Sequence, residues 1–217
     1  MRKLVYGIAI ILLWSACKSN TAKELPIYGN RDTMTRVING KPEIDTVYQT
    51  IPKFKFANQY GDSITNKSLD NTIYVADFFF TTCPSICPIM HRNMLNVYNA
   101  YKNVGDFKII SHTIDPQHDS VPILKKYADK LGISGNTWWL LRGKKEDVYS
   151  IAEKNYLVAV KKDSTEAGGY VHAGYFVLID KQKRIRGTYD GTDPKQVDQL
   201  IADIKTLKNE PDQSIIQ

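Results

Sequence analysis

The chain has 217 residues, of which 42% are hydrophobic and 11% aromatic, a composition that suits one packed domain with appendages and argues against disorder across the body of the chain. Its formal net charge is +6, but the lysines are scattered and form no basic stripe interleaved with aromatic residues. The surface is therefore predicted to be of mixed charge, and no binding of nucleic acid is expected.

The first sixteen residues are predicted to be a targeting segment. Two basic residues precede an apolar stretch, residues 4–14, that is too short to cross a bilayer as a helix, and small residues then lead to Cys17. This arrangement resembles a bacterial lipoprotein signal. The resemblance implies removal of residues 1–16, lipid on Cys17, and an exported protein that is anchored to a bacterial membrane and faces the periplasm. Trp14 stands where such signals usually have leucine, and an uncleaved N-terminal anchor is the alternative.

The chain contains three cysteines. If Cys17 carries lipid, Cys83 and Cys87 remain as a pair, which in an oxidising compartment can be a disulfide, a redox couple or a site for a soft metal ion. Residues 17–50 are predicted to be the lipid attachment followed by a tether and an irregular segment with at most one strand. Residues 51–217 are predicted to be the folded domain.

Strands and helices alternate through the predicted domain, which indicates parallel pairing in the middle of a sheet, and a late hairpin indicates an antiparallel edge. The sequence therefore predicts an α/β fold of three layers, in which helices flank a central mixed sheet and an extra β-hairpin precedes it. This is the thioredoxin architecture. The predicted elements are a hairpin at 53–64, strands at 74–80, 107–114 and 138–141, helices at 88–102, 119–131 and 146–154, a hairpin of 170–179 with 184–189, and a last helix capped by Asp193.

The two cysteines follow the buried strand at its carboxyl end, where sheets of this type bind ligands. Cys87 directly precedes Pro88 and is predicted to be the N-cap of the next helix, where the helix dipole favours a thiolate. Residues four apart in a helical turn are close enough for a disulfide or for joint binding of one metal ion. A purely structural disulfide is the third reading, but closing so short a loop stabilises little.

The segment FTTCPSICP, residues 80–88, resembles the CxxxCP signature of the SCO/SenC copper proteins. The resemblance covers residues 51–207 and includes TIDP at 113–116, WWLL at 138–141 and YVH at 170–172. It implies that Cys83, Cys87 and His172 bind copper, as Cu(I) or Cu(II).

Thiolates select Cu(I), and an added imidazole suits Cu(II) as well. The resemblance places Asp115 near the site, where its carboxylate can accept a hydrogen bond from a ligand or help to dock a partner; a cap of the loop before Pro116 is the alternative. No proline occurs in residues 167–179, where thioredoxins place a cis-proline against their cysteines, and this favours copper over general disulfide exchange. The other histidines are not predicted to be ligands: His91 is expected to be exposed, His112 to face one side of a strand and His118 to lie in a loop.

Three functions remain open at this point. The resemblance implies a copper chaperone and assembly factor whose client is the dinuclear copper site of a cytochrome c oxidase subunit. The second is a thiol–disulfide oxidoreductase that keeps target cysteines reduced, and this would be the only enzymatic activity. Its redox couple is Cys83 and Cys87, and Asp77 is its proton relay, since Asp77 lies six residues before Cys83, the spacing of the buried Asp in thioredoxins. The third is a copper store or sensor at the membrane surface.

Overall fold

The structure, a computed structural model, describes residues 24–162 and 170–211, and for residues 162 and 170–172 it describes the backbone only. The predicted signal segment and Cys17 lie outside the described residues. The strands and helices are β1 (Arg31–Ile38), β2 (Lys41–Tyr48), β3 (Lys55–Ala57), β4 (Ser63–Thr65), β5 (Ile73–Phe79), α1 (Cys87–Tyr101), β6 (Phe107–Thr113), α2 (Val121–Leu131), β7 (Trp138–Leu141), α3 (Lys145–Ile151), β8 (Val160–Lys162), β9 (Tyr170–His172), β10 (Tyr175–Ile179), β11 (Ile185–Asp190) and α4 (Pro194–Lys208).

A five-stranded mixed sheet forms the centre, in the order β11-β10-β5-β6-β7. The strands β5, β6 and β7 are parallel, and β10 runs antiparallel to both β5 and β11. All seven residues of β5 are buried, because helices or loops cover both faces of the sheet at its middle strand. The predicted central mixed sheet with an antiparallel edge is confirmed.

Helices on both faces complete the three layers. On one face α1 contacts its neighbours through two tyrosines: Tyr101 donates to the carbonyl of Ile201 in α4 at 2.8 Å, and Tyr98 donates to the carbonyl of Ser134 after α2 at 3.2 Å. On the other face a π-helical turn that continues α3 places Tyr156 against Phe78 of β5, with ring centroids 5.6 Å apart. The thioredoxin-like architecture is therefore present.

Two predictions about secondary structure are corrected. Residues 17–50 were expected to contain at most one strand, but β1 and β2 form a hairpin within them, joined by a turn in which Asn39 and Gly40 both have positive φ. Residues 170–179 were expected to form one strand; instead β9 pairs with β8 and only β10 joins the central sheet. The chain leaves the strand geometry between them at Ala173 and Gly174.

The start of the described chain is fixed to the end of the sheet where β5 begins. The side chain of Arg186, 3% exposed, donates to the carbonyls of Leu25 and Pro26 at 2.5 and 3.1 Å. The same guanidinium pairs with Glu210 at 2.7 Å and with Asp180 at 3.3 Å. These buried contacts hold the N-terminal segment at the amino end of β5. Within the described residues, no helix combines the length and the apolar character that a membrane span needs.

Candidate metal centre

The two cysteines lie at the opposite end of the sheet, beyond the carboxyl end of β5. Cys83 is in the loop that follows β5 and is 8% exposed, and Cys87 is the first residue of α1 and is 1% exposed. They are not joined in a disulfide. The two sulfur atoms therefore lie just beyond the carboxyl ends of the parallel strands, where sheets of this type bind their ligands.

The loop that carries Cys83 is held by a buried carboxylate. Asp119, which is fully buried, accepts hydrogen bonds from the backbone N–H of Thr81 at 3.1 Å and from the hydroxyls of Thr81 and Thr113. Asp115 is linked to the same group, since its N–H donates to the Thr113 hydroxyl at 3.1 Å. Because Thr81 lies two residues before Cys83, Asp119 fixes the approach of the loop to the site, a role that sequence analysis did not identify.

Cys87 differs from its predicted state in two ways. The N-cap of α1 is Ile86, and Cys87 is the first helical residue, so it does not act as a cap. A hydrogen bond with Cys83, followed by burial, raises the pKa of Cys87 far above its usual range, although the backbone N–H of Phe80 works in the other direction. Cys87 is therefore a protonated thiol, and a metal ion must displace its proton.

Asp77 lies beneath the site in a buried polar network. Its carboxylate accepts a hydrogen bond from the hydroxyl of Ser111, which in turn accepts one from the indole N–H of Trp138 at 2.8 Å. The second oxygen of Asp77, Oδ2, lies 3.5 Å from Nε2 of His91. Neither of these two atoms has a hydrogen-bond partner among the residues that the structure describes. Asp77 is fully buried, as the acid at the corresponding spacing in thioredoxins is, and its role as proton relay stays a prediction.

His91, a residue of α1, was expected to be exposed, but it is 1% exposed and lies on the buried side of the helix. It follows Cys87 by four residues, which places both on the inner face of the helix. Its Nδ1 lies 2.9 Å from the hydroxyl of Tyr127. Burial raises the pKa of Tyr127, and the nearby carboxylate of Asp77 acts in the same direction. The Tyr127 hydroxyl and Nδ1 of His91 share this hydrogen bond, in which either group can be the donor. The four-residue spacing from Cys87 was the signal that could have revealed this position.

His172 is described through its backbone. It ends β9, where it pairs with Val160. Two residues later the chain packs on the first turn of α1: a Cβ atom on Gly174 would lie 3.2 Å from Cδ1 of Ile86 and 3.5 Å from Sδ of Met90. The backbone after His172 therefore runs alongside the turn that begins with Cys87. The side chain of His172 is not among those that the structure describes. Among the described side chains, no three His, Cys, Asp or Glu residues converge as a metal site.

The remaining histidines lie away from the thiols or at the surface. His112 is fully buried and stacks on Phe78 at a centroid distance of 5.2 Å, on the face of the sheet opposite to Asp77. Burial lowers the pKa of His112 to about 3. Its predicted place on one face of a strand is confirmed, and His118 is exposed in its loop.

Comparison with known proteins identifies the family. The SCO1/SenC family model matches residues 43–209. The chain belongs to the SCO1/SenC family. A Bacillus subtilis protein named SCO1 protein homolog is 31% identical over 164 residues, which are 75% of this chain and 84% of that protein.

Solved structures agree with this membership. A SCO1/SenC family lipoprotein from Bacillus anthracis is 30% identical, with a TM-score of 0.68 over 74% of this chain and 96% of that one. BsSco, described as a Sco family cytochrome c oxidase assembly protein with a disulfide switch, is 30% identical, with a TM-score of 0.66 over 75% of this chain and 95% of that one. Bradyrhizobium japonicum ScoI with copper bound, at 23% identity, has a TM-score of 0.60 over 73% and 99% of the two chains and shares the fold. The predicted family and the thioredoxin-like fold are confirmed, and the roles of individual residues stay predictions.

Proposed function

We propose that this protein binds copper through Cys83, Cys87 and His172 and acts as a copper chaperone and assembly factor for the copper site of cytochrome c oxidase. The observation that carries the proposal is the pair of buried thiols at the carboxyl end of β5, with the backbone that follows His172 packed against the same helical turn. The relatives support it: ScoI was solved with copper bound, and BsSco is described as a cytochrome c oxidase assembly protein.

The donors suit the cargo. Soft thiolates with one imidazole bind copper in either common oxidation state. Because the pKa of Cys87 is strongly raised, loading has to expel its proton, and affinity should rise with pH. Asp119 keeps the loop of Cys83 in place through Thr81, which limits the reorganisation that loading requires. The carboxylate of Asp115, half-buried next to this loop, remains available for a hydrogen bond to a ligand or for contact with a client.

The copper proposal is tested by Cu(I) titration of the reduced protein against a competing chelator. We expect one equivalent per chain. His172→Ala should weaken binding while the two thiols still form a disulfide, and His118→Ala, at an exposed loop position, is the matched control. Absence of stoichiometric uptake would contradict the proposal. Transfer of the bound copper to the copper-site domain of an oxidase subunit separates a chaperone from a store or sensor, which would retain it.

We further propose that the chain is exported and anchored by lipid on Cys17, facing the periplasm, as the Bacillus anthracis relative is a lipoprotein. Cys17→Ser should abolish the lipid mass and release the protein from membranes. Unchanged mass and membrane association of this variant would count against the anchor.

A second candidate function, thiol–disulfide exchange, is favoured by the network below Cys87. Oxidation of the two thiols to a disulfide releases two protons and transfers two electrons to the disulfide of the target, which is reduced. The buried pair of Asp77 and His91 supplies groups that can take up a proton next to the site.

A further inference from the structure

The hairpin of β1 and β2 exposes an unusual share of apolar surface. Every residue of β1 is exposed, and so is every residue of β2 except the half-buried Tyr48. Among the described residues, five of the ten large apolar side chains that are exposed belong to this hairpin: Met34, Val37, Ile38, Ile44 and Val47. A two-stranded hairpin is only marginally stable when water surrounds both faces. The β1 strand also precedes residue 43, where the match to the family begins.

The two faces of the hairpin differ in charge. The register pairs Val37 with Pro42 and Thr35 with Ile44, and side chains two apart share a face. One face carries Arg31 and Tyr48 at the root of the hairpin, where the Arg31 guanidinium lies 5.3 Å from the centre of the Tyr48 ring. Beyond that pair it consists of Thr33, Thr35, Val37, Pro42, Ile44 and Thr46, and this part is termed here the uncharged face. The other, the charged face, consists of Asp32, Met34, Arg36, Ile38, Lys41, Glu43, Asp45 and Val47.

The exposure of the apolar side chains follows this division. Val37 and Ile44 on the uncharged face are 73% and 77% exposed, whereas Met34 on the charged face is 43% exposed. The charged face also carries the ion pair between Arg36 and Asp45 at 3.3 Å, which water can solvate. The uncharged face is thus the one that gains most by leaving water.

The root of the hairpin lies at the amino end of β5, the end opposite to the thiols. Just before β1, the N–H of Tyr28 donates to the carbonyl of Ile185 at the start of β11, and just after β2, Ile51 donates to Lys183 in the turn before β11. Arg186 holds Leu25 at the same end.

This location puts the hairpin within reach of a lipid anchor. The eight residues from Cys17 to Leu25 span at most about 28 Å when fully extended. The eight-residue strands of the hairpin reach about 27 Å from their root. An anchor on Cys17 therefore keeps the amino end of the sheet within about 28 Å of the bilayer, a distance comparable to the length of the hairpin.

We propose that the uncharged face of the hairpin lies on the lipid bilayer, so that the domain stands on the membrane by the amino end of its sheet and presents Cys83 and Cys87 away from it. This inference rests on the proposed lipid anchor. The threonine hydroxyls of the uncharged face suit the headgroup region, into which Val37 and Ile44 insert. The contact orients the domain, while the lipid supplies the attachment.

The test uses the lipoprotein on vesicles of phosphatidylethanolamine and phosphatidylglycerol with brominated acyl chains, which quench nearby tryptophan. Three variants are compared: Ile44→Trp on the uncharged face, Met34→Trp on the charged face, and Ile89→Trp on α1 at the opposite end of the domain. We expect at least twofold stronger quenching at position 44 than at position 34, and none at position 89. Quenching at position 44 no stronger than at position 89 overturns the inference.

Two further outcomes are distinguished by the same preparation. The mass of the lipoprotein is measured first: a missing lipid overturns the proposed anchor and this inference with it, whereas a lipid-bearing protein without quenching overturns only the bilayer contact. Measurement at one protein per vesicle excludes a second copy. Quenching that persists there supports the bilayer, and a change at position 44 that occurs only at high protein density assigns the face to a second copy and overturns the proposal.

Discussion

Charged or polar side chains are buried at both ends of the central sheet, but the two ends differ in how completely these side chains find hydrogen-bond and ion-pair partners. At the amino end, the guanidinium of Arg186 meets the carboxylates of Asp180 and Glu210 and two backbone carbonyls. At the carboxyl end, one oxygen of Asp77 and one nitrogen of His91 face each other at 3.5 Å, and neither has a hydrogen-bond partner among the described residues.

This difference separates a fixed region from a responsive one. A fully paired buried network holds one geometry, because any rearrangement leaves a charge unpaired. A partly paired network can accept a proton or shift its hydrogen bonds when its surroundings change, and such groups concentrate at functional sites. The amino end is therefore expected to govern folding stability, and the carboxyl end is expected to govern chemistry.

The largest effect is expected at the amino end. Arg186→Met leaves Glu210 buried without its cation, while Asp180 keeps its ion pair with Arg184 at 2.7 Å, and should lower the free energy of unfolding by about 3–5 kcal/mol. The exposed pair of Arg36 and Asp45 offers a matched control, since Arg36→Met should cost less than about 1 kcal/mol. Denaturant unfolding measures both values. Equal small losses would show that the amino end is not the fixed region.

Substitution of either thiol at the carboxyl end should lower copper affinity strongly and leave the free energy of unfolding nearly unchanged. Cys83→Ser and Cys87→Ser should each weaken Cu(I) binding by more than about 100-fold, beyond the range typical of changes outside the ligand set, while unfolding changes little. Ser85→Ala removes a hydroxyl that lies 3.7 Å from the sulfur of Cys83 and should leave copper binding nearly unchanged. Chelator competition provides the affinities. Wild-type affinity in either serine variant would remove that cysteine from the ligand set.

His112 lies on the other face of the sheet, and burial is the only cause of its shifted pKa. It therefore allows the effect of burial on the pH dependence of stability to be measured. Burial lowers its pKa to about 3 in the folded protein, from about 6.5 in the unfolded chain, so between these values the unfolded chain binds more protons. Stability due to His112 is therefore complete above about pH 6.5 and is lost as the pH falls, by at most about 1.4 kcal/mol per pH unit.

The variant His112→Leu should flatten the decline of unfolding free energy between pH 6.5 and pH 4, with His118→Gln as the exposed control. A decline as steep in His112→Leu as in the control would show that other groups cause it.

The sequence predicted the central sheet and the cysteine pair well, because both depend on local pattern. The continuous apolar run identifies β5 directly, and the CxxxCP motif in the residues that follow was recognised by its resemblance to the family signature. The burial of His91 was missed because it depends on Asp77 and Tyr127, which are distant in sequence. The hairpin of β1 and β2 was missed because both of its faces are exposed, so that apolar and polar residues do not alternate between a buried and a solvent-facing side.

The smallest effect is expected from Asp77→Asn, which tests whether the carboxyl end handles protons. The negative charge of Asp77 helps to raise the pKa of Cys87, so its removal should move the titration of Cys87 to lower pH and favour the thiolate. If charge alone mattered, disulfide exchange would become faster. If Asp77 accepts the proton, exchange should slow by about tenfold or more despite the larger thiolate fraction. Copper affinity should change little beyond a small gain from the lower pKa of Cys87, because both proposed sulfur ligands remain.

Thiolate absorbance against pH and the rate of exchange with a disulfide substrate distinguish these cases, with equal unfolding confirmed beforehand. His91→Gln should slow exchange in the same direction, because it removes the group that faces Oδ2 of Asp77. His118→Gln should leave both measurements unchanged. Overlapping titration curves and equal rates for Asp77→Asn and the wild type would give Asp77 a structural role, and the comparison between the two ends would then rest on the thiols alone.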